Sequence, residues 1–206
     1  MALAWPERSC ETAGMPIDLA NALSIRDWPL PYEARLPTRA LDAIDLVVIH
    51  CTELPDMQMT REFGERIRYA ATQTGNSGHY YIDTDGTVYR FVADTRVANH
   101  TFGYNTRSIG IEIANVGRYP HWGDSRHQAF TVEYTKPQID SLLALLRQLR
   151  EHIPSLHYIA GHEDLDRRLE PASDDPTIML PRRQDPGPLF PWEKVTAPSG
   201  LQRLVP

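Results

Sequence analysis

The apolar run "IDLVVIH" at positions 44–50 constrains the fold more than any other segment. After Asp45 it is rich in β-branched residues and lacks the polar alternation of a strand with one solvated face. It is therefore predicted to be a central strand that is buried on both faces. The run ends on His50, a polar residue that can bind metals, just before a loop.

Three other segments are predicted to form strands. The aromatic-rich segment 78–92 is predicted to be a hairpin that turns at Asp85-Gly86. The segment "SIGIEIAN" (108–115) alternates isoleucine with smaller or polar residues, and "LHYIAGH" (156–162) is a short strand that again ends in a histidine. Together with the central run, these segments predict a mixed sheet.

Two segments have helical periodicity. The segment 135–153 has an apolar residue every three or four positions, with Thr135 placed to cap its first turn. The segment 60–72 is predicted to be a shorter helix that begins at Thr60. Strands alternating with helices predict an α/β fold, with a mixed central sheet flanked by helices.

The length of 206 residues suits one domain with long loops. Residues 1–40 are rich in proline and are predicted to be an extended N-terminal arm, with the domain over 41–206. Residues 163–190 show little periodicity, and a loop of this length is usually functional or disordered.

The composition excludes some partners. The net charge of −6 leaves no excess of basic residues to neutralise phosphates, so nucleic acid is not expected as a partner. No apolar stretch approaches the roughly 20 residues of a membrane helix. Only two cysteines are present, which favours a reducing compartment, and the cytoplasm is the expected location. The same sequence is compatible with an exported protein whose leader has been removed.

Three residues from separate segments predict a metal site. His50 and His162 follow strands, and Asp185 precedes Pro-Gly in a turn-forming segment. Taken singly, a strand-end histidine is more often a packed or hydrogen-bonded residue than a metal ligand, and Asp185 is consistent with a turn aspartate that needs no metal. Two imidazoles and one carboxylate together match a catalytic zinc site with an open fourth position. Cys51 is interpreted as a small buried residue, because adjacent strand residues point to opposite faces.

Glu112 is the candidate catalytic base. It interrupts an isoleucine strand, between Gly110 and Ala114 on the same face. A half-exposed position facing solvent is the alternative interpretation. In the catalytic interpretation its carboxylate accepts a proton from water held by the metal. The small neighbours are expected to leave room for water or substrate.

Five segments in order resemble the zinc-dependent N-acetylmuramoyl-L-alanine amidases, a group that includes cytosolic anhydro-muropeptide amidases, phage lysozyme-type amidases and peptidoglycan recognition proteins. The resemblance covers residues 44–192. The segments are "VVIHCTE", "GHYYIDTDGTVYRFV", "NHTFGYNTRSIGIEI", "IAGHEDL" and "RRQDPGPLFPW".

The resemblance implies a zinc site in an open cleft. His50, His162 and Asp185 match the zinc ligands of the group, and Glu112 matches its catalytic glutamate. The implied activity is zinc-dependent hydrolysis of the amide between N-acetylmuramic acid, in the ordinary or the 1,6-anhydro form, and L-alanine. The implied substrate is peptidoglycan or a muropeptide, and the implied process is cell-wall degradation or recycling. The oligomeric state is not predicted.

The resemblance also implies residues around the substrate. His100 matches a histidine beside the substrate cleft, Asn105 matches an asparagine upstream of the same strand, and His79 matches a supporting residue of the hairpin. Charge alone suggests that Arg107 or Arg182 pairs with carboxylates of the peptide stem.

One position departs from the group. Many members have a lysine two residues before the ligand aspartate, whereas this chain has Arg183. Arginine stays charged and cannot donate a proton, so a catalytic Arg183 is expected to stabilise an oxyanion instead. The alternative is that Arg183 anchors its loop to an acidic residue, and Arg182 is a candidate for either part.

Two other functions fit the same residues. A peptidoglycan sensor would keep this fold without catalysis, although such proteins typically lack a zinc ligand. A zinc amidase or peptidase could also act on another amide, because the same metal chemistry serves many different amide substrates.

Overall fold

The computed structural model describes residues 23–206. Residues 1–22 of the predicted arm lie outside the described residues. The rest of the arm lies against the domain: Ile25–Asp27 forms a strand that pairs in parallel with Val88–Arg90, and several apolar side chains after it are buried. These side chains are Leu30, Tyr32 and Leu36.

A seven-stranded mixed sheet forms the centre of the described chain, and a separate pair of strands lies beside it. The strands in chain order are β1 (Ile25–Asp27), β2 (Leu46–Cys51), β3 (Tyr80–Ile82), β4 (Val88–Arg90), β5 (Ser108–Ile113), β6 (Tyr158–Gly161), β7 (Leu169–Pro171), β8 (Met179–Pro181) and β9 (Gln202–Arg203). The order across the main sheet is β1-β4-β3-β5-β2-β6-β9, and only the β3–β4 hairpin is antiparallel.

The expected α/β fold is confirmed. Strand β2 lies between β5 and β6, and all six of its residues are buried, as the apolar run predicted. The helices are α1 (Met57–Glu65), α2 (Lys136–His152), α3 (His162–Leu165) and α4 (Trp192–Ser199).

The two faces of β2 belong to different apolar clusters. Val47 and Ile49 pack in the main core with residues of α2, whereas Val48 packs in a smaller cluster with Ala160 on the other face. Since side chains alternate along a strand, His50 projects to the face that α2 does not cover. This alternation places the polar end of β2 away from the main core.

Helix α2 forms as predicted. Thr135 caps it: its hydroxyl accepts a hydrogen bond from the Gln138 backbone N–H, and the Gln138 side chain accepts one from the Thr135 N–H. This reciprocal pair satisfies two amides that have no partner within the helix. Most of the predicted apolar stripe is buried.

The predicted bounds of α1 were wrong. The helix begins at Met57, after Asp56, whose carboxylate accepts the Met59 backbone N–H at 2.7 Å. Asp56 follows a proline and supplies the capping oxygen that the prediction assigned to Thr60. The helix ends at Glu65, so Ile67 lies beyond it and is 44% exposed.

The long segment 163–190 contains structure that its sequence did not suggest. It includes most of α3 and the antiparallel pair β7–β8. Each strand of this pair has three residues, and almost all are exposed. Strands that short and that exposed carry no hydrophobic alternation, which is why the pattern gave no sign of them. Within residues 23–206 every helix is too short or too polar to span a membrane.

Candidate metal centre

The three predicted metal ligands meet at one end of the sheet. His50 lies near the end of β2, and His162 directly follows the neighbouring parallel strand β6, so parallel pairing brings both imidazoles to the same edge. Asp185 arrives from the segment between β8 and α4. Its Oδ2 lies 2.8 Å from His50 Nδ1 and 3.1 Å from His162 Nδ1.

This donor set fits a divalent metal. One ligand atom from each of the three buried residues lies within 4.8 Å of the others. Burial and the neighbouring His162 lower the pKa of His50 to about 4, so this imidazole is neutral, as a metal ligand must be. Although burial opposes it, the two imidazoles hold the pKa of Asp185 well below its usual range. Two neutral imidazoles and a carboxylate are the ligands of many catalytic zinc sites.

Cys51 does not join this cluster. Its side chain is 5% exposed, and burial raises the pKa of its thiol well above the usual value. A protonated, buried thiol is a small apolar residue, as the sequence predicted.

The ligands line a cleft of about 660 Å³. Glu112 lines the same cleft and stands opposite His50 in the register between β2 and β5. Burial raises the pKa of the Glu112 carboxyl, the charge of Asp185 raises it further, and the charge of Arg183 opposes the rise. Within residues 23–206, no group donates a hydrogen bond to this carboxylate, which leaves it free to accept a proton.

The space beside Glu112 is smaller than the sequence suggested. Gly110 was expected to leave room for water or substrate. Instead the His100 ring lies on Gly110, where an added Cβ would stand 2.7 Å from the imidazole. The small residue at this position accommodates a protein side chain.

The structure distinguishes the two candidate arginines. Arg182 pairs with Asp166 and Glu170, so it anchors the β7–β8 segment. Arg183 lines the cleft, and its buried Nε has no hydrogen-bond partner among residues 23–206. Its charge lowers the pKa of both Glu112 and His50, which places the guanidinium near the metal site. Of the two candidates, Arg183 is therefore the one whose charge is available in the cleft.

Two residues expected at the substrate lie just behind the metal site. His100 Nδ1 is 3.1 Å from His50 Nε2, although His100 also lines the cleft. Burial and the nearby His50 and His79 hold the pKa of His100 well below its usual range, so its ring is neutral. The Asn105 side chain accepts the backbone N–H groups of His100 and Thr101 at 3.1 and 2.7 Å. Asn105 therefore shapes the loop that carries His100.

Arg107 lies outside the cleft. It precedes β5 at the end opposite Glu112, and it forms a two-pronged ion pair with Asp45, the residue before β2. The prediction that Arg107 contacts substrate is not kept, because its guanidinium is engaged at the far edge of the sheet.

His79 supports the hairpin. Its Nδ1 accepts the Gly110 backbone N–H at 3.0 Å, and its Nε2 lies 2.8 Å from the Arg39 guanidinium and 3.1 Å from the Arg96 carbonyl. Burial and the charge of Arg39 lower its pKa to about 3. The ring is fully buried, 5.6 Å from that of His100. This position is consistent with the supporting role that we predict.

Sequence reasoning missed an ion pair at the cleft. Arg118 donates to both carboxylate oxygens of Glu53 at 2.7 Å, and the Trp122 indole donates to the Glu53 carbonyl at 3.1 Å. These contacts hold the insertion after β5 against the cleft and place Trp122 in its lining. The paired residues are 65 positions apart, so no local pattern could have revealed them.

A family model described as N-acetylmuramoyl-L-alanine amidase (Amidase_2) matches residues 40–188, which is most of the chain. The chain belongs to this amidase family. The resemblance stated from the sequence motifs is therefore confirmed, and all three candidate ligands of this amidase-family chain fall within the matched range.

Relatives of this amidase-family chain include enzymes and a recognition protein. A peptidoglycan recognition protein from Trichoplusia ni is 33% identical over 88 residues, and this match spans 42% of each chain. The solved amidase LysC from Clostridium intestinale URNW has a TM-score of 0.62 at 23% identity, covering 87% of this chain and 99% of that one. The amidase AmiD from E. coli, solved with anhydro-N-acetylmuramic acid-L-Ala-D-gamma-Glu-L-Lys, has a TM-score of 0.57 at 21% identity, covering 80% and 60%. At these identities the two structures show a shared fold.

Proposed function

We propose that this protein is a zinc-dependent N-acetylmuramoyl-L-alanine amidase. It hydrolyses the amide between the lactyl group of N-acetylmuramic acid and L-alanine in peptidoglycan or its fragments. The observation that carries the proposal is the convergence of His50, His162 and Asp185 beside Glu112 in one cleft of an amidase-family chain.

The three ligands would hold the zinc ion through His50 Nδ1, His162 Nδ1 and a carboxylate oxygen of Asp185. A bound zinc ion supplies Lewis-acid chemistry: it polarises a carbonyl and lowers the pKa of water to about 7. The chain's own residues must then position the amide and move the protons.

Glu112 acts as the general base and then as the general acid. Its carboxylate accepts a proton from the attacking water and delivers it to the nitrogen of the departing L-alanine. A raised pKa suits both steps, because the group must take and release a proton near neutral pH. Such proton transfer contributes about 10²–10⁴-fold to rate in enzymes generally.

Arg183 stabilises the oxyanion of the tetrahedral intermediate. Its guanidinium is permanently charged, lies near Glu112 and has an unpartnered buried Nε. The guanidinium lines the cleft and forms no ion pair with residues 23–206, so its charge is available to the substrate. In water-excluded sites, one such donor is worth on the order of 10²–10³-fold in kcat.

Arg183→Ala is expected to lower kcat by on the order of 10²–10³-fold, whereas Arg183→Lys keeps most of the rate because it restores the charge. Arg183→Ala should also move the acidic limb of the kcat/KM profile to higher pH, since the Arg183 charge lowers the Glu112 pKa. Arg107→Ala is the matched control, because it removes one arginine outside the cleft. An inactive lysine variant would mean that the forked guanidinium geometry is required.

The proposed substrates include muropeptides that carry the 1,6-anhydro form of N-acetylmuramic acid. AmiD was solved with an anhydro-muropeptide, which supports muropeptides as the substrate class. The low cysteine content favours a cytoplasmic location, where such fragments would be recycled.

A second candidate function is peptidoglycan recognition without catalysis. The match to the Trichoplusia ni recognition protein favours it. The presence of all three candidate ligands and Glu112 in one cleft favours the enzyme.

The two functions are separated by a direct assay. The purified zinc-loaded protein is incubated with anhydro-muropeptides and with intact sacculi, and released stem peptides are followed by mass spectrometry. We expect free peptides beginning with L-alanine. Release from small fragments alone supports a recycling role, and release from sacculi supports wall degradation. Binding of muropeptides without any released peptide would overturn the amidase proposal in favour of recognition.

A further inference from the structure

A buried chain of polar contacts runs from β5 to the metal ligand His50. His50 Nε2 lies 3.1 Å from His100 Nδ1, and His100 Nε2 lies 3.2 Å from the Ser108 hydroxyl. The Ser108 hydroxyl in turn donates to the Tyr104 carbonyl at 2.8 Å. These contacts connect the rear nitrogen of His50 to the protein backbone.

The hydrogen bond from Ser108 to Tyr104 determines which atom donates at each of the other contacts in this series. A hydroxyl has one proton, and Ser108 donates it to the Tyr104 carbonyl, so Ser108 can only accept from His100. The His100 ring therefore carries a proton on Nε2, and its Nδ1, 3.1 Å from His50 Nε2, presents a lone pair to that nitrogen. That lone pair accepts the Nε2–H of His50. The Nδ1 of His50, which faces Asp185, is then left without a proton.

Thr101 does not change this direction. Its hydroxyl lies 3.0 Å from His100 Nδ1 and 3.4 Å from His50 Nε2. If His50 donates to Thr101 instead, Thr101 passes its own proton to His100 Nδ1. In both arrangements His50 is protonated on Nε2.

Neighbouring residues hold this series of hydrogen bonds in place. Ser108 and Thr101 are 0% and 1% exposed, so water does not compete for their hydroxyls. The His100 ring rests on Gly110, where a Cβ would stand 2.7 Å from it. Asn105 fixes the backbone of His100 and Thr101 by accepting both N–H groups.

The position of the His50 proton matters because the ring could instead be protonated on Nδ1. Its Nδ1 lies 2.8 Å from Asp185 Oδ2. A proton on Nδ1 would make a strong hydrogen bond to this carboxylate and would occupy the lone pair that a metal needs. Because His100 Nδ1 accepts the Nε2 proton of His50, it disfavours the hydrogen bond from His50 Nδ1 to Asp185.

We propose that His100, oriented by Ser108, is a positioning residue that keeps the Nδ1 lone pair of His50 directed at the metal site. The proposal rests on the metal centre of the proposed function. It assigns His100 to the metal site, whereas the family resemblance placed it at the substrate. Partners of this kind behind a metal ligand typically contribute about 10- to 100-fold to metal affinity.

The test measures zinc affinity of the full chain by competition with a chromophoric chelator, without reference to hydrolysis. We expect His100→Leu to weaken zinc binding by about 10- to 100-fold and Ser108→Ala by about tenfold. His100→Asn should stay within about threefold of wild type, because its amide oxygen can accept the His50 proton in place of Nδ1. Ser77→Ala, a buried serine whose hydroxyl has no partner among the described residues, is the matched control and should leave the affinity unchanged.

The melting temperature of each metal-free variant is measured in parallel. A positioning role predicts loss of zinc affinity while the metal-free melting temperature of His100→Leu stays close to that of His100→Asn. Unchanged affinity in both His100→Leu and Ser108→Ala, with wild type binding zinc, would overturn this inference and leave the amidase proposal standing. Equal weakening by the leucine and asparagine variants would also overturn it. A wild-type protein that binds no zinc would overturn both.

Discussion

Replacing Glu112 by glutamine is expected to leave zinc bound and to lower kcat by about 10²–10⁴-fold. Glutamine keeps the shape of the side chain but cannot accept the proton of the attacking water. Glu112 contributes no ligand atom to the His50, His162 and Asp185 cluster, so the metal content should not change. Because glutamine has nearly the same size as glutamate and buries no charge, the fold should also tolerate the change.

The measurement combines zinc content by mass spectrometry with single-turnover rates on an anhydro-muropeptide. Glu170→Gln is the matched control, because Glu170 is another cleft carboxylate, but it pairs with Arg182. We expect this control to keep its rate within about tenfold of wild type, a loss below the range for a general base. Normal turnover by Glu112→Gln would assign the proton transfer to another group. Loss of zinc in that variant would instead mean that the carboxylate holds the metal.

Replacing Asp185 by alanine is expected to abolish tight zinc binding and turnover together. The side chain supplies the only carboxylate of the cluster and contacts both imidazoles. Without it, two neutral nitrogens remain, and the charge that balances a divalent cation is lost. Two imidazoles alone fall short of the three protein ligands of catalytic zinc sites.

Thermal unfolding reports this loss without an activity assay. Zinc at a hundredfold excess over its Kd stabilises a folded protein by about 2.7 kcal/mol. For a chain of this size, that corresponds to a rise in Tm of roughly 5–10 °C. We expect wild-type protein to show this rise after chelation and zinc addition, and Asp185→Ala to show almost none. Asp42→Ala changes an exposed aspartate that precedes β2, at the end of the strand opposite His50, and should respond like wild type. A full zinc response in Asp185→Ala would remove Asp185 from the ligand set.

The predictions that succeeded depend on local patterns. The buried β-branched run gave β2, the apolar stripe with its threonine cap gave α2, and Asp85-Gly86 gave the hairpin turn. The candidate ligands were chosen from two strand-end histidines, a pre-proline aspartate and the resemblance to the amidase family, and the structure brings these three residues together.

The wrong bounds of α1 had a local cause, the Asp56 cap, whereas two predictions about the site failed through contacts with residues that are not neighbours in sequence. The sequence shows no partner for the charge of Arg107. In the structure Arg107 pairs with Asp45, which is 62 positions away, at the edge of the sheet opposite the cleft. Gly110 suggested empty space, but a loop side chain fills it. In each case the partner comes from another part of the chain, and no spacing rule links the two.

The sequence by itself determined which elements form and which side chains could bind a metal, because periodicity and residue chemistry act over a few neighbouring positions. Only the tertiary structure decided what each candidate contacts. Parallel pairing of β2 with β5 and β6 brings His50, His162 and Glu112 to one edge, and the chain after β8 returns Asp185 to them. The same packing turns His100 toward the back of His50 and leaves the guanidinium of Arg183 unpaired within the described cleft. Such assignments need three-dimensional proximity, because a hydrogen bond or ion pair depends on the distance between atoms and not on their separation along the chain.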